Sequence, residues 1–158
     1  MTISQDDFRS ALSRFASGVT VVTTKDGQGG FHGITVSAFC SVSLEPPLVL
    51  ICIEKTTVSH DALVESGVFA VNVLGETQAA VAEHFASPSA DKFDGLDLVA
   101  GSAGLPILAG IAAVLECSVV QIHDGGDHSI FVGGVDRARV SEAQPLLYFR
   151  GEYARISY

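Results

Sequence analysis

The chain contains 158 residues, 47% of them hydrophobic and 17% charged, with a formal net charge of −9 at pH 7. This length suits a single domain with a sizeable core, and no apolar run approaches the roughly 18 residues of a membrane-spanning helix. The basic residues are scattered, which argues against nucleic acid binding. The first residues carry no basic and apolar leader pattern, so we expect a cytoplasmic protein without a membrane contact.

The high apolar content of a chain with no membrane span indicates surface that another subunit covers, so we expect a homodimer. The cysteines Cys40, Cys52 and Cys117 are odd in number, far apart and within apolar stretches. We therefore predict that they are reduced core residues of an intracellular protein.

The first predicted elements are a helix and a strand. Ser4 followed by Asp7 resembles a capping box, and Gly18 is predicted to end the helix. The apolar residues that share one face of this helix are Phe8, Ala11, Leu12 and Phe15. Residues 19–24 are dense in β-branched side chains, which predicts a strand, and the glycine-rich residues 25–30 predict a turn.

Residues 34–44 alternate with a period of two over eleven residues, which predicts one long strand. The face assigned to the core consists of Ile34, Val36, Ala38, Cys40, Val42 and Leu44. The other face carries four hydroxyls and one ring, from Thr35, Ser37, Phe39, Ser41 and Ser43. Such a face is typical of an exposed strand, but residues 31–44 contain no Lys, Glu or Arg. The alternative is a flat ligand held against the backbone by hydroxyls and amides.

The rest of the chain is predicted to form short elements. Residues 48–53 are continuously apolar, which predicts a strand buried on both faces, and residues 57–65 predict a helix that ends at Gly67. Further strands are predicted at residues 69–74, 112–122, 129–140 and 146–150, with a helix at 76–85 and a loop at 87–107. A turn at residues 124–127 would join two of these strands as a hairpin. The pattern predicts a mainly β protein, a closed antiparallel barrel with a few short helices, in one domain over residues 1–158.

A candidate phosphate site lies at residues 54–59, between the buried strand and the second helix. A helix N-terminus with free N–H groups, flanked by hydroxyls and Lys55, suits a phosphate; the alternative is an ordinary threonine N-cap. The glycines of residues 27–33 miss the Gly-x-Gly-x-x-Gly spacing. Any nicotinamide binding is therefore expected without a Rossmann unit.

Two histidines, His123 and His128, flank the predicted hairpin turn, with Asp124 and Asp127 between them. No further His or Cys pair has metal-ligand spacing, so we expect no metal site. The turn is either a solvated loop or places His128 to donate a hydrogen bond to a bound ligand.

Six segments, in the same order along the chain, carry a family resemblance: residues 15–24, 33–48, 69–74, 91–93, 126–133 and 145–153. The most specific are the segment that ends in Pro46-Pro47 and the segment that begins Gly126-Asp127-His128. The chain resembles the short-chain flavin reductases of two-component flavin-dependent monooxygenases. The resemblance implies their fold, a closed antiparallel FMN-binding split β-barrel.

The resemblance also implies which residues hold the ligands. Those placed around the flavin ring and ribityl chain are Thr35, Val36, Ser37, Ala38, Cys40 and Ser41, with Cys52 and Ile53 near the ring. Those implied at the phosphate are Lys55, Thr56, Thr57 and Ser59, and those beside the flavin are Phe85 and Ala86. His128 is the candidate catalytic residue at the nicotinamide side, and Tyr153 would close over it.

The activity that the resemblance implies is reduction of FMN or FAD by NADH or NADPH. The family forms homodimers with pockets near the subunit boundary, and reduced flavin would pass to a separate flavin-dependent oxygenase. Two alternatives stay open. One is a split-barrel protein that retains its flavin and acts on a specific organic substrate; the other is a non-enzymatic flavin carrier.

Overall fold

The computed structural model describes residues 2–158, and in this range the chain is mainly β with three α-helices. The helices are α1 (Gln5–Leu12), α2 (Val58–Ser66) and α3 (Ala79–Ala86). The first six strands are β1 (Ser17–Gly18), β2 (Thr20–Lys25), β3 (Phe31–Val36), β4 (Phe39–Ser43), β5 (Leu48–Glu54) and β6 (Val68–Val73). The last six are β7 (Leu98–Ala100), β8 (Pro106–Leu108), β9 (Ala113–Gly125), β10 (His128–Val140), β11 (Leu147–Phe149) and β12 (Glu152–Ala154).

Seven strands form the main sheet, in the order β3-β2-β6-β9-β10-β5-β4. Two smaller sheets have the orders β1-β11-β12 and β7-β8. Every strand pair is antiparallel, as the sequence predicts. The longest pair is the predicted hairpin β9–β10, whose turn contains Gly126 at a φ of +80°.

The core is built on the two sides of the main sheet. One cluster contains the fully buried Ile51, Phe69 and Phe131. A second lies beneath α3 and contains Leu74, Phe85 and Leu146. The α3 cluster anchors the helix whose last residues reach the candidate site described below.

The predicted single strand over residues 34–44 is wrong, because the chain forms two strands there. β3 ends at Val36 and pairs with β2, whereas β4 begins at Phe39 and pairs with β5. The break at residues 37–38 shifts the alternation, so that Phe39 packs against the core cluster. Cys40, predicted to lie in the core, is exposed instead, and Leu44 is 91% exposed.

The helix α1 begins as predicted but ends earlier than predicted. The Ser4 hydroxyl accepts a hydrogen bond from the Asp7 N–H at 3.1 Å, which caps the first turn. The last turn tightens, since the Phe15 N–H donates to the Leu12 carbonyl three residues back. Gly18 therefore lies in β1 rather than at a helix end. The apolar face of α1 is exposed, with Phe8 52% and Leu12 56% accessible, and Phe15, just beyond the helix, is 80% accessible.

Three further predictions need correction in detail. In β5 only alternate residues are buried, so Cys52 is half-buried and the strand is not enclosed on both faces. The loop predicted over residues 87–107 contains β7 and the start of β8, and the strand β12 follows the predicted last strand.

Within residues 2–158, none of the helices has the length and apolarity to cross a bilayer.

Candidate functional site

A cleft with a volume of about 590 Å³ lies beside the N-terminus of α2. Three segments line this main cleft: the start of β3, the residues that lead into α2, and the segment that follows α3. The lining residues are 31–34, 56–59, 86–90 and 92–93. The α2 side contributes hydroxyl groups, and the other two segments contribute aromatic, aliphatic and polar groups, among them Phe93, His32 and Lys92.

The α2 side of the main cleft is polar because a capped helix begins there. Thr57 is the N-cap, and its hydroxyl accepts from the His60 N–H at 3.3 Å and donates to the Glu54 carbonyl at 2.9 Å. The Thr56 hydroxyl donates to the Glu54 carboxylate at 2.8 Å. The first N–H groups of a helix have no intrahelical partner, so those of Val58 and Ser59 can bind an anion.

The opposite side of the main cleft is held by Lys92. Its ammonium donates to the Phe85 carbonyl at 2.9 Å and to the Gly33 carbonyl at 3.2 Å. Burial lowers the pKa of Lys92 from its ordinary value. Because these bonds join the end of α3 to β3, Lys92 holds this wall of the main cleft together and also brings a positive charge to it.

His32 lines the main cleft near the start of β3 and is oriented by Asp26. The His32 Nε2 atom lies 2.9 Å from the Asp26 carboxylate. The hydrogen bond from His32, followed by the N–H of Gly30, lowers the pKa of Asp26 below 3.8. Asp26 therefore connects the β2–β3 turn to a cleft-lining imidazole.

The β9–β10 turn (residues 124–128) lies beside the segment that leads into α2. His128 is opposite Glu54 in the β5–β10 register, and its Nδ1 atom lies 2.7 Å from the Asp127 carboxylate. The Lys55 ammonium contacts the Asp124 carboxylate and donates to the Gly126 carbonyl at 2.6 Å. His128 thus stands next to the polar side of the main cleft, although it does not line the cleft.

Only part of the predicted flavin site lines the main cleft. Thr56, Thr57, Ser59 and Ala86 line it. Phe85 is fully buried beneath Gly33, and the Thr35 hydroxyl donates to the Ala82 carbonyl at 2.6 Å. These two residues support the wall of the main cleft from behind.

The remaining predicted residues lie elsewhere. Val36 and Ile53 are buried in the core, so only their backbone groups can meet a ligand. Four of them are exposed, along the join between β3 and β4 and along β4: Ser37, Ala38, Cys40 and Ser41. The Cys52 N–H donates to the Ala38 carbonyl at 3.1 Å. Tyr153 packs against the α3 cluster, and burial, then the charge of Glu83, raises its pKa.

The sequence predictions missed three features of the main cleft: His32, Lys92 and the lining residues 87–90. Lys92 lies in residues 91–93, one of the segments that carry the family resemblance, but no role was predicted for it from the sequence. The role of His32 could not be predicted from the sequence, because only the turn between β2 and β3 brings Asp26 to its ring. The hydroxyls, helix start and cationic side chains fit a phosphate, and the aromatic wall fits a planar group. The donor set of the main cleft therefore fits a mononucleotide.

Comparison with known proteins agrees with this chemistry. Residues 12–157 match the flavin reductase like domain family. The chain is 44% identical over 150 residues to the flavin-dependent monooxygenase reductase subunit HsaB of Rhodococcus jostii RHA1, covering 94% of this chain and 76% of that protein.

Two further proteins are similar to this chain, one by sequence and one by structure. A Rhizobium meliloti protein named as a flavin reductase is 43% identical; the alignment covers 92% of this chain but only 47% of that protein. The solved structure of the Streptomyces globisporus NADH:FAD oxidoreductase SgcE6, in complex with NAD and FAD fragments, superposes with a TM-score of 0.92 at 40% identity. That superposition covers 99% of this chain and 97% of SgcE6. From the match over residues 12–157 and these identities, the chain belongs to the flavin reductase like domain family.

Proposed function

We propose that this protein is an NAD(P)H:flavin oxidoreductase that reduces FMN or FAD and supplies reduced flavin to a separate oxygenase. The observation that carries the proposal is the main cleft, where the hydroxyls of Thr56, Thr57 and Ser59 face the start of β3 and the 86–93 segment. Membership of the flavin reductase like domain family supports a flavin as the ligand. The named activities of HsaB and SgcE6 support the same reaction class.

In this proposal the phosphate of the flavin binds at the start of α2. Thr56, Thr57 and Ser59 donate their hydroxyl hydrogens, and the free N–H groups of the first helical turn add the positive end of the helix dipole. Thr56 must release the Glu54 carboxylate and Thr57 the Glu54 carbonyl for their hydroxyls to turn to the phosphate. The ammonium of Lys55 remains a predicted further phosphate contact.

The flavin supplies the electron-accepting ring for the reaction, and the chain supplies binding and orientation. Ala86 and the β3–β4 region, including the backbone of Thr35 to Ser41, would line the ring and ribityl chain. Cys52 would lie beside the ring, with the backbone of Ile53. Backbone N–H groups at the ring edge would stabilise negative charge that develops there. Such a site needs no side-chain base, so the charge-free hydroxyls of this region suffice.

His128 would stand at the side from which the nicotinamide approaches, and Tyr153 would close over it. The placement of His128 on the β9–β10 turn, opposite Glu54 in the β5–β10 register, supports this role. Its Nδ1 atom is engaged by Asp127, which leaves Nε2 to hydrogen-bond to a nicotinamide nucleotide. Such orienting contacts must hold the donor ring and the acceptor ring about 3–3.5 Å apart.

The finer features of the assembly belong to the same proposal. The main sheet has β3 and β4 as its outer strands, and only residues 37–38 separate them, which supports closure into a split barrel. The exposed apolar residues Phe8 and Leu12 of α1, with Phe15 just beyond the helix, support a homodimer that covers them. We also propose that residues 1–158 form one domain.

The test is steady-state oxidation of NADH and NADPH by the purified protein over a range of added FMN and FAD. Oxidation that saturates with free flavin is expected, because flavin acts as a diffusing substrate. Turnover independent of added flavin, with flavin retained on the protein, would instead favour an enzyme with its own organic substrate. Tight flavin binding without oxidation of either nucleotide would overturn the proposal in favour of a carrier.

A further inference from the structure

Lys55, in the segment before α2, contacts the β9–β10 turn through both its side chain and its backbone. Its ammonium contacts the Asp124 carboxylate and donates to the Gly126 carbonyl at 2.6 Å. Its backbone N–H donates to the Asp127 carbonyl at 3.0 Å. Lys55 therefore binds the turn on both sides of Gly126, and the next residue after these contacts is His128.

Strand pairing holds the two ends of the turn, because His128 lies opposite Gly125 of β9 and Glu54 of β5. Gly125 and Gly126 are adjacent, and Gly126 has a φ of +80°, so this backbone has much conformational freedom to lose on ordering. The Asp124 side chain is 81% exposed, which means that packing contributes little to its position. The Lys55 ammonium, which holds two acceptors of this glycine turn, therefore adds a restraint between the paired ends.

A second contact lies below the turn and reinforces the attachment. The His60 Nε2 atom of α2 lies 2.9 Å from the Ser129 hydroxyl of β10, and the His60 ring stacks edge-on against Phe131 at 5.5 Å between centroids. This contact fixes the base of β10 to α2. The turn above it is held by its strand pairs and by the contacts of Lys55.

We propose that Lys55 is a positioning residue, which holds the β9–β10 turn through Asp124 and Gly126 and thereby sets the position of His128 for the nicotinamide. The inference rests on the proposed function, since it assigns His128 to the nicotinamide side. Two of the three ammonium hydrogens of Lys55 are engaged by the turn, so one remains for a flavin phosphate. Lys55 thus joins the two ligand sites.

The decisive variant is Asp124→Asn, because Asp124 lies outside the proposed flavin site. Losing the ion pair should raise the KM for NADH about threefold, the size expected for a partly exposed pair, with kcat and flavin affinity nearly unchanged. The matched control is Asp136→Asn, which removes one carboxylate charge from the same hairpin, where Asp136 accepts from the Ser118 hydroxyl at 2.6 Å. This control should leave the KM for NADH as in the wild type. Asp124→Glu, which keeps the charge, should restore most of the loss.

A double-mutant cycle separates positioning from phosphate binding. If Lys55 acts through Asp124, Lys55→Met should raise the KM for NADH, and adding Asp124→Asn should raise it no further. Additive effects of the two substitutions on that KM would overturn the proposal, as would an unchanged KM in Asp124→Asn. Faster amide hydrogen exchange of residues 125–128 in Asp124→Asn, without a change elsewhere, is the expected readout that does not depend on turnover.

The outcomes also separate this inference from the proposed function. If His128→Ala raises the KM for NADH but Asp124→Asn does not, the reductase assignment stands and the positioning role is wrong. If the wild type oxidises neither NADH nor NADPH with added flavin, the proposed function itself fails. Hydrogen exchange then still reports whether Lys55 orders the turn.

Discussion

Gly33 lies so close to Phe85 that a β-carbon at position 33 would come within 2.6 Å of the Cε1 atom of that ring. The same β-carbon would lie 3.0 Å from the Phe93 ring, and the two rings pack edge to face with centroids 5.1 Å apart. Phe85 is fully buried and cannot move away without disturbing the α3 cluster. The absence of a side chain at Gly33 therefore lets β3 approach α3 and form one wall of the main cleft.

We predict that Gly33→Ala lowers the free energy of unfolding by about 1–3 kcal/mol, the range for overpacking a filled core. Urea unfolding measures this change. Gly134→Ala is the matched control, because a β-carbon at that strand position meets its nearest neighbour, Val120, at an ordinary 3.4 Å. Equal stability of the two variants would show that the contact between β3 and α3 is not tight.

The Asp26–His32 pair predicts a pH dependence of stability. Hydrogen bonds from His32 and then Gly30 lower the pKa of Asp26 below 3.8, so ionised Asp26 stabilises the folded state above that pH. This contribution is lost as the pH falls through the lowered folded-state pKa. The melting temperature of Asp26→Asn should therefore lie below that of the wild type near neutral pH, and the difference should shrink as the pH falls through the lowered pKa of Asp26. A difference that stays constant over this range would contradict the assignment.

The phosphate assignment predicts selective loss of affinity for FMN. In Ser59→Ala and Thr56→Val, the dissociation constant for FMN should rise about tenfold, because each substitution removes a hydrogen bond to a charged group. Riboflavin has no phosphate, so its affinity should not change and serves as the control within each variant. Fluorescence titration measures both constants. A parallel loss of FMN and riboflavin binding would place the ring, rather than the phosphate, at these hydroxyls.

His128→Ala should raise the KM for NADH several-fold, by about the strength of one hydrogen bond, while flavin affinity changes less. Steady-state kinetics and flavin titration measure the two effects. His123→Ala is the control on the other side of the same turn, where the ring lies 3.3 Å from the Gln121 side chain. If His128→Ala releases the flavin instead, the placement of His128 at the nicotinamide side is wrong.

Much of the fold follows from local patterns in the sequence. The start of α1 at Ser4, the cap and end of α2 at Thr57 and Gly67, and the β9–β10 hairpin all have the predicted positions. Each depends on contacts between residues near in sequence, such as a cap or a turn. These are the contacts that residue type and spacing encode directly.

The wrong predictions fall where contacts between residues distant in the sequence decide the structure. Period-two alternation continues across residues 37–38, so the sequence does not reveal that β3 and β4 separate there to pair with different strands. The pairing of Phe39 with Ile51 reverses the phase of the second strand and brings the ring to the core. Three-residue strands such as β12 are also too short to give a periodic signal.

The same distinction between local and distant contacts applies to the residues of the candidate site. Thr56, Thr57 and Ser59 could be predicted because a helix start suits a phosphate locally. The engagement of Lys55 by Asp124 could not, since 69 residues separate the two. Likewise, Lys92 becomes a wall of the main cleft only because its ammonium reaches Gly33, 59 residues away.

We expect the flavin to bind for reduction in the main cleft beside α2. A crystal structure of the protein with FMN tests this most directly. We predict the phosphate within hydrogen-bonding distance of the Thr56, Thr57 and Ser59 hydroxyls, with the ring extending toward the β3–β4 join and one ring face open on the His128 side. A flavin bound away from the start of α2, or with its phosphate in solvent, would contradict the account.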